Sequence, residues 1–125
     1  MAQPFNPSVP IYQQLCERIK NKIIRGELKI GERLPSVRDL AIESEVNPNT
    51  VQRAYRELEE SGIVEKKRGQ GTFVTQEPDI LQHMREQQKI NHIRFFVTEM
   101  CEMGFSEAEM LDGLRDYLEK KEDNV

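Results

Sequence analysis

Apolar residues recur along the first third of the chain with the spacing of a helix. Ile11, Leu15, Ile19 and Ile23 fall four apart, with Tyr12, Cys16 and Ile24 beside them, which predicts an amphipathic helix that buries one stripe. Gly26 predicts its end. Ahead of it, three prolines within the first ten residues read as an extended arm. Leu28, Ile30 and the turn signal Gly31-Glu32 lead to Leu34-Pro35. Ser36 is then suited to cap a short helix, with Asp39 three residues on in the place that a capping box gives to Glu. That helix turns Val37, Leu40 and Ala41 inward and fades near Glu43–Ser44. A second start follows at once. Asn47 is placed as N-cap and Pro48 at the first helical position, where the missing N–H costs nothing. Val51, Ala54, Tyr55 and Leu58 form the inward stripe, and Ser61-Gly62 closes the helix. Two short helices joined by a tight turn, with a third ahead of them, predict a helix-turn-helix.

From Ile63 the period changes. Residues 63–67 and 72–74 read as two short strands around Arg68-Gly69-Gln70-Gly71, a glycine-rich hairpin turn that makes a wing. Glu77-Pro78-Asp79 opens a long helix in which Ile93, Phe96, Val97, Met100 and Met103 recur three or four apart, and Gly104 ends it. Ser106 with Glu109 is a second capping box, and Met110, Leu111, Leu114, Tyr117 and Leu118 stripe a last helix. The expected fold is mainly α with a small β-hairpin: a winged helix-turn-helix over residues 1–75, then a two-helix C-terminal tail over 76–125, a helical hairpin linked at Gly104-Phe105.

The net charge of −4 argues against a nucleic-acid binder until it is divided along the chain. Residues 1–75 carry +2 and residues 76–125 carry −6. A positive face must therefore come from arrangement within the first part, and the acidic tail belongs away from phosphate. No run of roughly 18 apolar residues is present to span a bilayer. The start of the chain lacks a signal-peptide pattern, so the expected location is the cytoplasm. Cys16 and Cys101, one in each half, read as reduced thiols rather than a disulfide framework.

The helix that starts at Asn47 carries the chemistry. With Val51, Ala54, Tyr55 and Leu58 inward, Asn49, Gln52, Arg53 and Arg56 are left outside and Thr50 lies at the boundary. Asn, Gln and Arg are the side chains able to make paired hydrogen bonds to base edges in the major groove, and a recognition helix reads bases through its first turns. Arg56, one turn later, suits a phosphate. Ser36 and Arg38 open the preceding helix, where free N–H groups and a guanidinium make a phosphate clamp. In the wing, Lys66, Lys67 and Arg68 stand beside Gly69, whose bare backbone allows close approach, with Arg68 suited to a narrow minor groove.

The run GERLPSVRDLA and then NPNTVQRAYRELEESGIVEKKRGQGTFV, preceded by PIYQQLCERIKNKIIRGEL, resembles the DNA-binding domain of the GntR family of bacterial regulators over about residues 8–75. The resemblance implies base and phosphate contacts at Arg38, Asn49, Gln52 and Arg68-Gly69. Some members have Arg where this chain has Pro48 or Gln52, which implies a different operator. A tail of fifty residues is too short for the family's large effector or aminotransferase-like domains and resembles that of the small YtrA branch, which serves mainly for dimerisation.

Plainer readings compete at each position. Arg38 can pair with Asp39 or Glu43, Arg53 and Arg56 with Glu57, Glu59 or Glu60, and Asn49 can merely extend the cap. Tyr55 reads as core, with a second reading in which its hydroxyl reaches a phosphate. His83 and His92 lie nine apart, not the four that aligns two metal ligands on a helix, and no nucleophile–base set is present, so neither a metal site nor an enzyme is expected. The leading expectation is a sequence-specific regulator, a repressor, that binds a near-palindromic operator as a homodimer through Ile93, Phe96, Val97, Met100, Leu111, Leu114 and Leu118, without a cofactor. The alternative is a ligand-sensing regulator whose tail binds a small-molecule effector that controls DNA binding. An adaptor that uses a winged helix without DNA would show an apolar or acidic outer face on the Asn47 helix, which Asn49, Gln52, Arg53 and Arg56 contradict.

Overall fold

The computed structural model describes residues 4–123. Five helices and two strands follow in the order α1 (Ile11–Ile24), α2 (Val37–Ser44), α3 (Pro48–Glu60), β1 (Val64–Lys67), β2 (Gly71–Val74), α4 (Pro78–Glu102) and α5 (Glu107–Asp123). The chain divides into two compact units with the boundary between Arg85 and Glu86, inside α4.

In the first unit α3 is central, packed against α1, α2 and β1. Its stripe is sealed: Val51 and Ala54 are fully buried, and Tyr55 and Leu58 nearly so. Around them close Leu15, Cys16, Ile19 and Ile23 of α1, Leu34, Leu40 and Ala41, then Ile63, Val64 and Val74 of the wing and Met84 of α4. Ile80 and Leu81 are partly buried against the same cluster. Ile11, expected in the stripe of α1, is instead 41% exposed. It sits in the first turn, in the lining of an open hollow between the starts of α1 and α3.

The N-terminal arm is not extended. Gln14 holds it back on α1, accepting from the Asn6 N–H at 2.8 Å and donating to the Asn6 and Val9 carbonyls at 2.7 Å each. Phe5 lies under the Arg18 guanidinium, 3.8 Å from its ring centre. Prolines at positions 4, 7 and 10 remove donors and fix φ, but a glutamine side chain supplies the bonds that the backbone cannot.

The caps follow side-chain length. Ser36 Oγ accepts from the Asp39 N–H at 3.0 Å, yet the Asp39 carboxylate returns no bond to the Ser36 N–H; Asp is one methylene shorter than the Glu that closes the motif. At α5 the box is complete, with Glu109 N–H donating to Ser106 Oγ at 3.1 Å and Ser106 N–H to Glu109 Oε1 at 3.0 Å. Asn47 Oδ1 accepts from the Asn49 N–H at 2.8 Å above Pro48. The turn between α2 and α3 forces Glu45 into the left-handed region, φ 56°, ψ 47°, a conformation that costs an L-residue about 1–2 kcal/mol.

The wing has a third edge. β1 and β2 pair antiparallel, Val64 with Val74 through Lys67 with Gly71. The segment before α2 then lies along the far side of β2: Arg33 bridges to Phe73, Leu34 N–H donates to the Thr72 carbonyl and Val74 N–H to the Glu32 carbonyl, both at 2.8 Å. Sequence reading expects only a turn there and places the strands one residue off, at 63–67 and 72–74. With these bonds the first unit is a winged helix-turn-helix.

In the second unit Met110 and Gln88 are buried. Nearly every other apolar side chain from position 90 onward stands in solvent. Gly104, at φ 88°, turns the chain between α4 and α5.

Replacing Ser36 by Ala should cost about 1 kcal/mol of stability. Glu45→Gly should add about 0.5–1 kcal/mol, the relieved left-handed strain less the entropy of glycine. Urea denaturation of the two variants checks both signs.

Burial pushes the Cys16 thiol up to about 11, against the pull of Lys20, and raises the Tyr55 phenol, with the Glu43 charge adding to it. Both groups stay neutral in the fold where the unfolded chain begins to ionise, from about 9 for the thiol and 10 for the phenol. The thiol's contribution is whole below pH 9 and is lost as pH rises through 11, while the phenol's is whole below pH 10 and is lost only at higher pH. Denaturation midpoints should be level from pH 7 to about 9 and fall above it, with a shallower fall in Cys16→Ala.

Candidate nucleic-acid interface

The outer side of α3 is set by the phase of its buried stripe. Asn49, Gln52, Arg53 and Arg56 are exposed and Thr50 is half-buried at the edge, as one turn of helix between Val51 and Tyr55 requires. Tyr55 fixes the height of this helix over α2: its hydroxyl donates to the Pro35 carbonyl at 2.7 Å, in the residue just before the Ser36 cap. That bond engages the phenol inside the protein, so Tyr55 is core.

Among the described residues, the side chains of Arg38, Asn49, Gln52, Arg56 and Arg68 have neither a hydrogen bond nor an ion pair; the four ion pairs found there are Lys20–Glu17, Arg25–Glu27, Lys89–Glu86 and Arg115–Asp112. The competing pairings of Arg38 with Asp39 or Glu43, and of Arg56 with Glu57, Glu59 or Glu60, are not made. Asn49 contributes its backbone N–H to the Asn47 cap and leaves its amide side chain outside.

Arg53 differs from its neighbours. Its guanidinium lies over the Tyr12 ring, 3.8 Å from the centre. Together with Ile11, Asn49 and Thr50 these two residues line a shallow hollow between the starts of α1 and α3. Sequence reading counts Tyr12 among the apolar residues of α1; the structure makes it half-buried and a platform for Arg53. A tyrosine one position off an aliphatic stripe was the available signal.

Ser36 and Arg38 are exposed at the start of α2, with the Ser36 Oγ already engaged by the Asp39 N–H. In the wing, Lys67 stands over the Phe73 ring at 4.7 Å. Arg68, Gly69 and Gln70 are exposed at the tip, and nothing lies within 4 Å of where a Cβ on Gly69 would be. Gly69 takes φ 77° and Gly71 φ 123°, values that side chains rarely adopt. Sequence reading passes over Arg33, which the third edge places beside Gly71.

The tail residues expected to pair are solvent-facing. Ile93 is 53% exposed, Phe96 38%, Val97 39%, Leu111 56%, Leu114 46% and Leu118 52%, with Met100 half-buried. Phe95, off the stripe, is exposed as well, as are Met103, Phe105 and Tyr117. No described helix is long and apolar enough to cross a membrane.

A family model for bacterial regulatory proteins of the gntR family matches residues 11–74. The HTH-type transcriptional regulator YhcF of Bacillus subtilis (strain 168) is 42% identical over 119 residues, 95% of this chain and 98% of its own length. The HTH-type transcriptional repressor YtrA of the same organism is 48% identical over 69 residues, 55% of this chain and 53% of YtrA. A solved structure, a GntR family transcriptional regulator from Listeria monocytogenes, superposes with a TM-score of 0.85 at 34% identity, covering 90% of this chain and 98% of that one. The match thus extends past the wing into the tail. This chain belongs to the GntR family of bacterial transcriptional regulators, which bind DNA through a winged helix-turn-helix and are not enzymes.

Proposed function

We propose that this regulator is a repressor that binds a near-palindromic operator as a homodimer, joined through its C-terminal helices. The observation that carries the DNA-reading half is the unpartnered row on α3. Asn49 and Gln52, in the first two turns, read base edges; Arg56 and Arg38, with Ser36 at the open N-terminus of α2, take phosphates. Thr50 and Arg53 border the same groove, Arg53 preset by Tyr12. Lys67, Arg68 and Gly69 bring the wing to the adjoining backbone. The similar YtrA of Bacillus subtilis is a transcriptional repressor, which supports the sign of regulation.

The dimer rests on the tail. Nine aliphatic and aromatic side chains of α4 and α5, each more than a third exposed, would form a patch beyond what a stable monomer shows. Two helices alone enclose little apolar surface, whereas a second tail across a two-fold axis covers the patch with its own copy. An acidic tail keeps this interface clear of phosphate, and the two-fold axis makes the operator a near-palindrome with half-sites about one helical turn apart.

Selection of bound fragments from random DNA supplies the operator for the first test. Gln52→Ala should cost about 1–3 kcal/mol on it and relax the preference at one base position. Arg38→Ala should weaken operator and random duplex alike and flatten the salt dependence by about one unit of log–log slope. Equal effects of the two substitutions on specific and random DNA would refute this division of roles.

Leu114 and Leu118 are exposed in the single chain, so aspartates at both should leave the helical circular dichroism intact. Sedimentation should then report a monomer with weak, half-site binding. A variant that sediments as a dimer and holds the full operator undiminished would sink the tail interface.

A further inference from the structure

We infer that Arg33 is a phosphate contact of the wing, carried not by the hairpin but by the segment that pairs with its outer edge. The inference rests on the reading that the wing lies against DNA. Strand geometry sets the direction of the side chain. Leu34 is 2% exposed and points into the core, so its neighbour Arg33 points to the opposite face of the sheet. That outer face carries Phe73, paired with Arg33, then Gly71 two residues back and Lys67 across from Gly71.

Gly71 is what makes room. A Cβ built on it would meet Arg33 Nε at 2.8 Å and Nη2 at 3.4 Å. The guanidinium therefore lies close over Gly71, whose φ of 123° is one that side chains rarely adopt.

The charge on Arg33 is not spent inside the protein. Among the described residues it has no ion pair, although two carboxylates are near it in the pairing. Both are engaged elsewhere. Glu65, across from Phe73, accepts from the Thr75 hydroxyl at 3.2 Å, and Glu32 accepts from the Lys29 N–H at 3.2 Å. Lys67 shares the face and Arg68 opens the turn beside it. Three cations thus stand at one end of a three-edged sheet, in a half of the chain whose net charge is only +2. A guanidinium left without an ion pair suits a phosphate oxygen pair.

The test uses the full chain and a random-sequence 30-base-pair duplex, since a phosphate contact is blind to sequence. Affinity is followed by fluorescence anisotropy across a potassium chloride series. Arg33→Ala should make the slope of log affinity against log salt shallower by about 0.9, so that its deficit shrinks about three- to fourfold between about 50 and 200 mM salt. Arg33→Lys should retain the slope. An Arg33→Ala slope equal to wild type, whatever happens to melting temperature, would make Arg33 a mere prop of the wing and overturn the inference. Arg68→Ala runs in parallel. If it flattens the slope and Arg33→Ala does not, the Arg33 contact alone fails; if neither does, the wing reading falls with it.

Discussion

One helix has to satisfy two demands at once. α3 is the middle of the hydrophobic core, in contact with α1, α2 and the first strand of the wing, and in the function proposed above it is also the element that meets DNA. A 3.6-residue repeat couples the two. Once Val51, Ala54, Tyr55 and Leu58 are sealed inward, the directions of Asn49, Gln52, Arg53 and Arg56 follow without further choice. Packing density inside proteins leaves little room for the helix to rotate about its axis. The Tyr55 hydroxyl, tied to the Pro35 carbonyl, also limits sliding along it. Specific recognition of bases demands side chains placed to within fractions of an ångström, and here the core supplies that placement.

Much of this was legible in the sequence because it depends on local rules. Pro48 after Asn47, Gly69 in the hairpin and Ser106 with Glu109 each announce a backbone event within a few residues of themselves. The phase of α3 was readable for the same reason. What escaped depends on contacts distant in sequence. Residues 31–34 look like a turn because only their pairing with 72–74 makes them a strand. Ile11 looks like core because periodicity cannot say where a neighbouring helix stops covering it. Gln14 gives no sign of the polar grip it has on the arm, and Asp39 matches the pattern of a capping box but lacks the reach to close it. The base and phosphate contacts themselves follow from residue type and exposure and stand as proposals.

The two units handle apolar surface in opposite ways. The first unit turns most of its aliphatic residues inward. The second, from residue 86 on, leaves its aliphatic residues in solvent, and its described ion pairs, Lys89–Glu86 and Arg115–Asp112, lie exposed along the helices. Exposed pairs of that kind contribute little to stability. In the proposed homodimer, association would cover this apolar surface. Regulation that changes the monomer–dimer balance would then act without touching any residue of α3.

The third edge of the wing also bears on how the chain reaches its native state. β1 and β2 form a local hairpin, but the strand that braces β2 comes from about forty residues earlier, on the other side of both helices of the helix-turn-helix. Bringing those two segments together costs loop-closure entropy unless α2 and α3 are already folded between them. The brace is therefore lost in a molecule whose helix-turn-helix is open, and the wing is left as a two-stranded hairpin, marginal on its own. A partly folded chain would carry its cations on a loose hairpin and meet DNA with little orientation, whereas the finished fold presents helix and wing together.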